Sequence, residues 1–330
     1  MNIVIVGQGA MGLLWYHHIQ QLLESNGEYS KTLLHLLPSS RTSSNRSAST
    51  CSAATFSPSK KAKPQYEQYS FTDQSNIEHN GKINYAQTEN IQMADIILLC
   101  LKSFQIPSAL KKISDTLKNN AGIVLAHNGM GTLTELPQSI KSRHNIYTLL
   151  TTHGCLRSAP LTITHTGMGS TDLGLLSGVT NFEQQQSLTQ LLNTALPNVE
   201  YHKEIRKKQW VKLAINCVIN PITAVNNIDN GQINNAEYLQ AITALLEEII
   251  AVANAQGINL DLGELKKIVK EVAQATATNS SSMRCDILAS RISEIEYING
   301  YIHRLGIKHE IATPENTKMW QAVKSLEANT

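Results

Sequence analysis

Lys212, Asn216 and Asn220 recur every four residues through the segment from Trp210 to Pro221. On a helix that spacing sets all three on one face. The residues between them are mostly apolar, so the helix is expected to be largely buried. A Lys and two Asn in such surroundings need partners. Two readings answer that need: a structural hydrogen-bond network, or a polar row facing a substrate cleft. The second fits a definite chemistry. Hydride transfer to a ketone leaves an alkoxide that must be protonated. A positioned Lys ammonium can stabilise the oxyanion and donate that proton, general acid catalysis worth roughly 10²–10⁴-fold. Burial beside apolar groups lowers a Lys pKa toward neutrality and eases the donation. The amides of Asn216 and Asn220 can hold hydroxyl or carboxylate groups without adding charge.

A hydride needs a donor, and Gly7-Gln8-Gly9-Ala10-Met11-Gly12 offers a place for one. This is a complete G-x-G-x-x-G, directly after an apolar strand run and opening a helix, the context that gives the pattern meaning. Gly7 makes the tight turn, Gly9 lets the backbone approach a pyrophosphate, and Gly12 lets helix and strand pack closely. The amides at the helix start then face the phosphates. NAD sites usually place Asp or Glu at the end of the second strand. Pro38-Ser39-Ser40-Arg41 stand there instead, with no acid. A guanidinium and hydroxyls suit a 2′-phosphate better, so the expected cofactor is NADP(H). Two further groups, Lys102 and His127-Asn128-Gly129-Met130-Gly131, stand at the carboxyl ends of predicted strands, the edge where such sheets bind ligands. Lys102 reads equally as a surface residue ending a strand. The second group reads either as a plain Gly-rich turn or as an Asn presented to a cofactor that the glycines admit.

The elements positioning these groups follow from periodicity. Ile3–Val6, Thr32–Leu37, Asp95–Leu101, Gly122–Ala126 and Ile146–Leu150 are short apolar runs, the pattern of strands covered on both faces. A helix over about Ala10–Leu23 follows the glycines, so strand, turn, helix and strand form a βαβ unit. Alternating strands and helices predict a doubly wound α/β domain. From Glu204 the helical period dominates, with helices expected over about 204–227, 236–256, 261–275, 285–305 and 315–327. Thr313-Pro314-Glu315 is a helix start, with a Thr cap, Pro at the first position and an acid. The expected domains are 1–200, dinucleotide-binding, and 201–330, helical and substrate-binding. Residues 39 to about 64 are rich in Ser with few large apolar groups and read as an exposed insertion, with Arg41 and Arg46 close to it.

Bulk properties exclude several classes. The chain has 330 residues, 42% of them hydrophobic, enough for two cores. The net charge is +2 with no long basic run, which argues against nucleic acid or an acidic membrane surface as partner. The five cysteines, Cys51, Cys100, Cys155, Cys217 and Cys285, are scattered, fitting reduced thiols in a cytoplasm better than disulfides or zinc. The N-terminus lacks a signal-peptide pattern, and no apolar stretch reaches the ~18 residues of a spanning helix. Adjacent His17 and His18 are expected on different sides of a helix, and no His-Glu-x-x-His occurs, so no metal site is expected.

Taken together, these motifs resemble the ketopantoate reductase family. The resemblance rests on Gly7–Gly12, Leu101-Lys102, His127–Gly131 and Lys212-x-x-x-Asn216-x-x-x-Asn220-Pro221. It rests also on Ser281-Ser282-Met283, the segment Ser293–Gly300, and Pro314-Glu315-Asn316-Thr317. It implies a Rossmann-type N-terminal domain with an all-α C-terminal domain like that of 6-phosphogluconate dehydrogenase. The implied reaction is NADPH-dependent reduction of 2-dehydropantoate to (R)-pantoate, on the route to pantothenate and coenzyme A. Lys212 matches the family's proton donor. Asn216, Asn220, Asn230 and Ser282 match positions holding the substrate's hydroxyl and carboxylate, and Asn128 a residue between nicotinamide and substrate. Lys102 matches a cofactor contact near the 2′-phosphate, Cys155 a place where backbone meets cofactor, and Glu294 an acid beside the nicotinamide. The departure is the second strand's end, where Pro38-Ser39-Ser40 displace Arg41. A homodimer is compatible with this reading. Its rivals are a related 2-oxo or 3-hydroxy acid dehydrogenase and a non-catalytic NADP-binding regulator.

Overall fold

The structure, a computed structural model, describes residues 1–38, 66–179 and 181–328. The Ser-rich segment of about 39–64, with Arg41 and Arg46, lies outside the described residues. Contacts divide the chain into two compact units. The first holds Met1–Leu101, Gln105–His127 and Leu136–Ile205; the second holds Lys102–Phe104, Asn128–Glu135 and the chain from Arg206 onward. The two short segments that join the second unit are the ones carrying Lys102 and Asn128.

Among the described residues, the first unit has eleven strands in two sheets. They are β1 Asn2–Val6, β2 Leu33–Leu37, β3 Tyr66–Thr72, β4 Glu78–Asn84, β5 Ile96–Leu99, β6 Gly122–Leu125, β7 Asn145–Thr151, β8 Gly154–Ala159, β9 Thr162–Gly167, β10 Thr171–Ser177 and β11 Val199–Tyr201. The larger sheet runs β11-β10-β7-β6-β5-β1-β2. Its members β2, β1, β5, β6 and β7 pair in parallel, the doubly wound α/β core that the apolar runs predict. β5 and β6 are buried at every residue. The second sheet, β4-β3-β9-β8, was not foreseen. Its strands alternate or are polar, as in Glu78-His79-Asn80-Gly81-Lys82, so no continuous apolar run marks them.

The helix after the glycines, α1, spans Ala10–Ser25 and buries Leu13, Leu14, Trp15, Tyr16, Ile19 and Leu22. A helix apolar on so many sides must be covered on more than one. The second sheet provides one cover: the Asn84 amide donates to the Tyr16 hydroxyl at 2.8 Å, and His17 Nδ1 lies 3.0 Å from the Tyr69 hydroxyl. His17 and His18 do not diverge as expected. His17 stacks on Phe71 at 3.8 Å between ring centroids and His18 meets the same ring edge-on at 5.4 Å. Neighbouring helical residues are only about 100° apart, so one aromatic side chain from the sheet touches both. Burial lowers the pKa of His17 to about 4, of His18 to about 3 and of His153 to about 4, so these imidazoles are neutral near pH 7.

The second unit is helical, with long helices over Ile205–Asn226, Leu239–Ala255, Leu262–Ala275 and Pro314–Ala328. Their core includes Trp210, Leu213, Cys217, Leu246, Ile249 and Ile302. The helix expected over 285–305 is instead three pieces: Ser282–Leu288, a 3₁₀ turn Ile295–Tyr297, and Asn299–Lys308. Ser290 takes a left-handed φ of 51°, and the Ser293 amide donates to Glu327 Oε1 rather than to a helical carbonyl. The break frees Glu294 from helical register. No helix among the described residues is long and apolar enough to cross a membrane.

Candidate functional site

In the glycine loop, Gly7 and Gly12 take the turn and packing tasks that the spacing predicts. Gly7 has φ +110°, and a Cβ there would collide with the carbonyl oxygen of Cys100. A Cβ on Gly12 would overlap the carbonyl oxygen of Gly7, so these two glycines serve the turn and the helix–strand contact. Gly9 differs: a Cβ built there meets nothing within 4 Å. Its side faces open space at the start of α1, whose first-turn amides lack acceptors within the helix. An open, Cβ-free approach to a helix N-terminus fits a pyrophosphate. The loop is flanked by β8, where Cys155 Sγ lies 3.5 Å from the Ala10 carbonyl oxygen and Arg157 Nη1 lies 3.5 Å from that of Gln8.

In the second unit a buried polar cluster gathers residues far apart in sequence. Glu294 is 4% exposed and Ser103 fully buried. Glu294 Oε1 accepts from the Ser103 amide at 3.0 Å and from its hydroxyl at 2.7 Å, while Oε2 accepts from Asn128 Nδ2 at 3.1 Å. Lys102 Nζ lies 2.5 Å from Asp286 Oδ2 and 3.6 Å from Glu294 Oε2. Burial opposes the Lys102 charge, but Glu294 and Asp286 outweigh it and hold its pKa above the ordinary value. Burial also raises the Asp286 carboxyl, against the pull of Lys102 and Arg291. Ser103 and Asp286 were missed in the sequence. Neither stands in a motif with a chemical signature; only burial and partners reveal them.

Gly129 and Gly131, left open in the sequence between a plain turn and an approach for a cofactor, pack against Tyr297 and Tyr301. They have φ of +80° and +106°, and a Cβ on Gly129 would collide with the Tyr297 carbonyl. A Cβ on Gly131 would come within 2.9 Å of the Tyr301 ring. The Met130 amide donates to the Tyr297 carbonyl at 2.7 Å. The loop is therefore locked to Tyr297, three residues after Glu294, which helps bring Asn128 to that carboxylate.

Lys212, Asn216 and Asn220 lie on the single helix Ile205–Asn226, as their spacing requires. Lys212 and Asn216 are half-buried and Asn220 is buried. Asn216 Nδ2 is buried with no hydrogen-bond partner among the described residues. Asn230 is buried; its Nδ2 donates to Thr276 Oγ1 at 3.0 Å, while its Oδ1 has no partner among the described residues. Ser282 is exposed at the first position of its helix. That helix is tied to the end of the long one by Thr223, whose hydroxyl donates to the capping Ser281 at 2.7 Å. Arg284 ties it to the turn before Asn230 through Asn227 and Asp229. The amide row, Asn230 and Ser282 thus belong to one connected set of elements.

Among the described residues, one group could hold a metal ion. His202 Nε2, just past the end of β11, lies 2.6 Å from Asp172 Oδ1 of β10 and 3.7 Å from Glu200 Oε2 of β11. No motif announces it, because cross-strand pairing of β10 with β11 assembles it. Exposed carboxylates commonly group this way without an ion.

Comparison with known proteins gives one consistent family. Residues 3–178 match the family described as "Ketopantoate reductase PanE/ApbA", and residues 204–327 match "Ketopantoate reductase PanE/ApbA C terminal". A 2-dehydropantoate 2-reductase of Vibrio cholerae serotype O1 is 32% identical over 327 residues, covering 99% of this chain and 98% of the relative. One of Shigella flexneri is 39% identical over 261 residues, covering 76% and 82%. In fold the chain is similar to D-mandelate dehydrogenase in its ternary complex with NADH and anilino(oxo)acetate, with a TM-score of 0.82 at 20% identity over 100% of this chain and 99% of that one.

Proposed function

The chain belongs to the ketopantoate reductase family of oxidoreductases, and from that premise we propose that it reduces 2-dehydropantoate with NADPH, Lys212 donating the proton. The observation that carries this reading is the pair of unsatisfied buried atoms Asn216 Nδ2 and Asn230 Oδ1. One is a donor and the other an acceptor. Left empty, each such atom costs about 1–3 kcal/mol. A substrate offering both an acceptor oxygen and a hydroxyl donor satisfies the two at once, and 2-dehydropantoate has a carboxylate, a ketone and a hydroxyl.

The bound nicotinamide supplies the hydride. The residues do the rest. Gly7 to Gly12 and the start of α1 hold the pyrophosphate. Asn216, Asn220, Asn230 and Ser282 orient the substrate's hydroxyl and carboxylate. Lys212, on the same helix face as the two amides, stabilises the developing alkoxide and then protonates it. Glu294, fixed by Ser103, Asn128 and Lys102, holds Asn128 in a set orientation for the nicotinamide and substrate. NADPH is preferred over NADH because no acid follows β2 to accept from a ribose 2′-hydroxyl.

The test follows NADPH absorbance with 2-dehydropantoate for the wild type and Lys212→Ala. The proposal expects rapid oxidation by the wild type and at least about a 10²-fold loss in kcat for the variant. A 2-oxo acid without the hydroxyl should turn over more slowly. Equal or faster turnover of that acid would refute the assigned role of the Asn230 acceptor and the substrate proposed with it.

A further inference from the structure

We propose that Arg157 is the cation that meets the cofactor's pyrophosphate, an assignment that rests on the cofactor reading above. The unforeseen four-stranded sheet places it there. Among the described residues β8 is an edge strand of that sheet, paired only with β9. Alternate residues of a strand share a face, so Cys155 and Arg157 point the same way. Their side chains meet consecutive stretches of the glycine loop, Cys155 at Ala10 and Arg157 at Gln8, each at 3.5 Å. One face of β8 thus runs along the phosphate cradle.

Charge gives the contact its purpose. Gly7 to Gly12 contain no charged side chain. The helix N-terminus supplies roughly half a positive charge, while a pyrophosphate bridge carries about two negative charges. Lys102, the cation expected near the cofactor, directs its charge at Asp286 and Glu294. Arg157 is exposed and touches the Gln8 carbonyl through one nitrogen at the outer limit of a hydrogen bond. A guanidinium carries five donors, so the same side chain can reach that carbonyl and a phosphate oxygen together. The backbone approach is open on the Gly9 side.

The position also distinguishes the pyrophosphate of NADPH from its 2′-phosphate. Gln8 follows β1, where the pyrophosphate belongs, whereas the adenosine ribose is read beyond the end of β2. Arg157 therefore strengthens binding of NADPH and NADH alike and does not select between them.

The experiment measures binding without substrate. Wild type, Arg157→Gln and Arg157→Lys are titrated calorimetrically with NADPH and with NADH at low and high salt, beside their melting temperatures. Arg157→Gln is expected to bind both cofactors about tenfold more weakly, since one charge-assisted hydrogen bond is lost. The ratio between cofactors should stay the same, the salt dependence should be shallower, and the melting temperature should not move. Arg157→Lys should recover part of the loss. Unchanged binding by Arg157→Gln overturns the assignment. A loss for NADPH alone overturns it as well and moves Arg157 to the 2′-phosphate. A wild type that binds neither cofactor removes the cofactor reading itself, a failure distinct from the other two.

Discussion

Gly9→Ala separates a glycine kept for the fold from one kept for a ligand. Gly9 is the cap of α1 with φ −77° and ψ −177°, extended backbone that alanine adopts freely. Its new methyl would meet no protein atom within 4 Å. Two small terms then oppose each other. Alanine restricts the unfolded chain, a gain of about 0.4–1 kcal/mol, and is a poorer cap than glycine by roughly 0.5–1 kcal/mol. Stability should stay within about 1 kcal/mol, a shift of at most a few degrees in Tm. Binding responds differently. The methyl occupies the approach of the pyrophosphate and pushes it away from the first-turn amides. Losing two charge-assisted hydrogen bonds at about 1.5–3 kcal/mol each weakens NADPH by roughly 10²–10⁴-fold. Calorimetric titration with NADPH, paired with a thermal melt, reads both quantities. Gly12→Ala is the contrast, because its methyl strikes the Gly7 carbonyl oxygen and must lower Tm directly. If Gly9→Ala binds NADPH within about threefold of the wild type, no phosphate approaches that glycine and the cradle argument fails.

Three other perturbations probe separate features. Asp286→Asn removes the nearer carboxylate from Lys102 and leaves Glu294 at 3.6 Å; with the Lys side chain partly exposed, urea unfolding should show a loss of about 2 kcal/mol, less than the usual value for a broken buried pair. Stability should fall as pH drops from about 6.5 toward about 4, since His17, His18 and His153 stay neutral when folded but take up protons when unfolded; His153→Gln should flatten that slope in acid titrations, and an unchanged slope would discount the cluster. Asn230→Ala should raise KM for 2-dehydropantoate by roughly tenfold while leaving NADPH affinity alone, because it removes the acceptor Oδ1; steady-state kinetics beside a cofactor titration checks this.

What the sequence determined by itself was local and periodic. The five parallel strands show because burial on both faces demands unbroken apolar runs. The glycine loop shows because its three glycines must sit at fixed spacing where strand gives way to helix. Lys212, Asn216 and Asn220 show because a helix turns in 3.6 residues, and the helix Pro314–Ala328 because its cap and proline are adjacent. Tertiary structure decided everything that depends on residues meeting across the chain. Lys102 and Asp286 are 184 residues apart and Ser103 and Glu294 are 191 apart; no spacing rule links them. The glycines at 129 and 131 could not be assigned between cofactor and packing until Tyr297 and Tyr301 were seen against them. The second sheet pairs β3 with β9 across some ninety residues, Ser70 opposite Thr162, using strands too polar to declare themselves. Arg157 gains its place beside the glycine loop only through that sheet, because hydrogen-bonded pairing, and not periodicity, carries β8 to the loop.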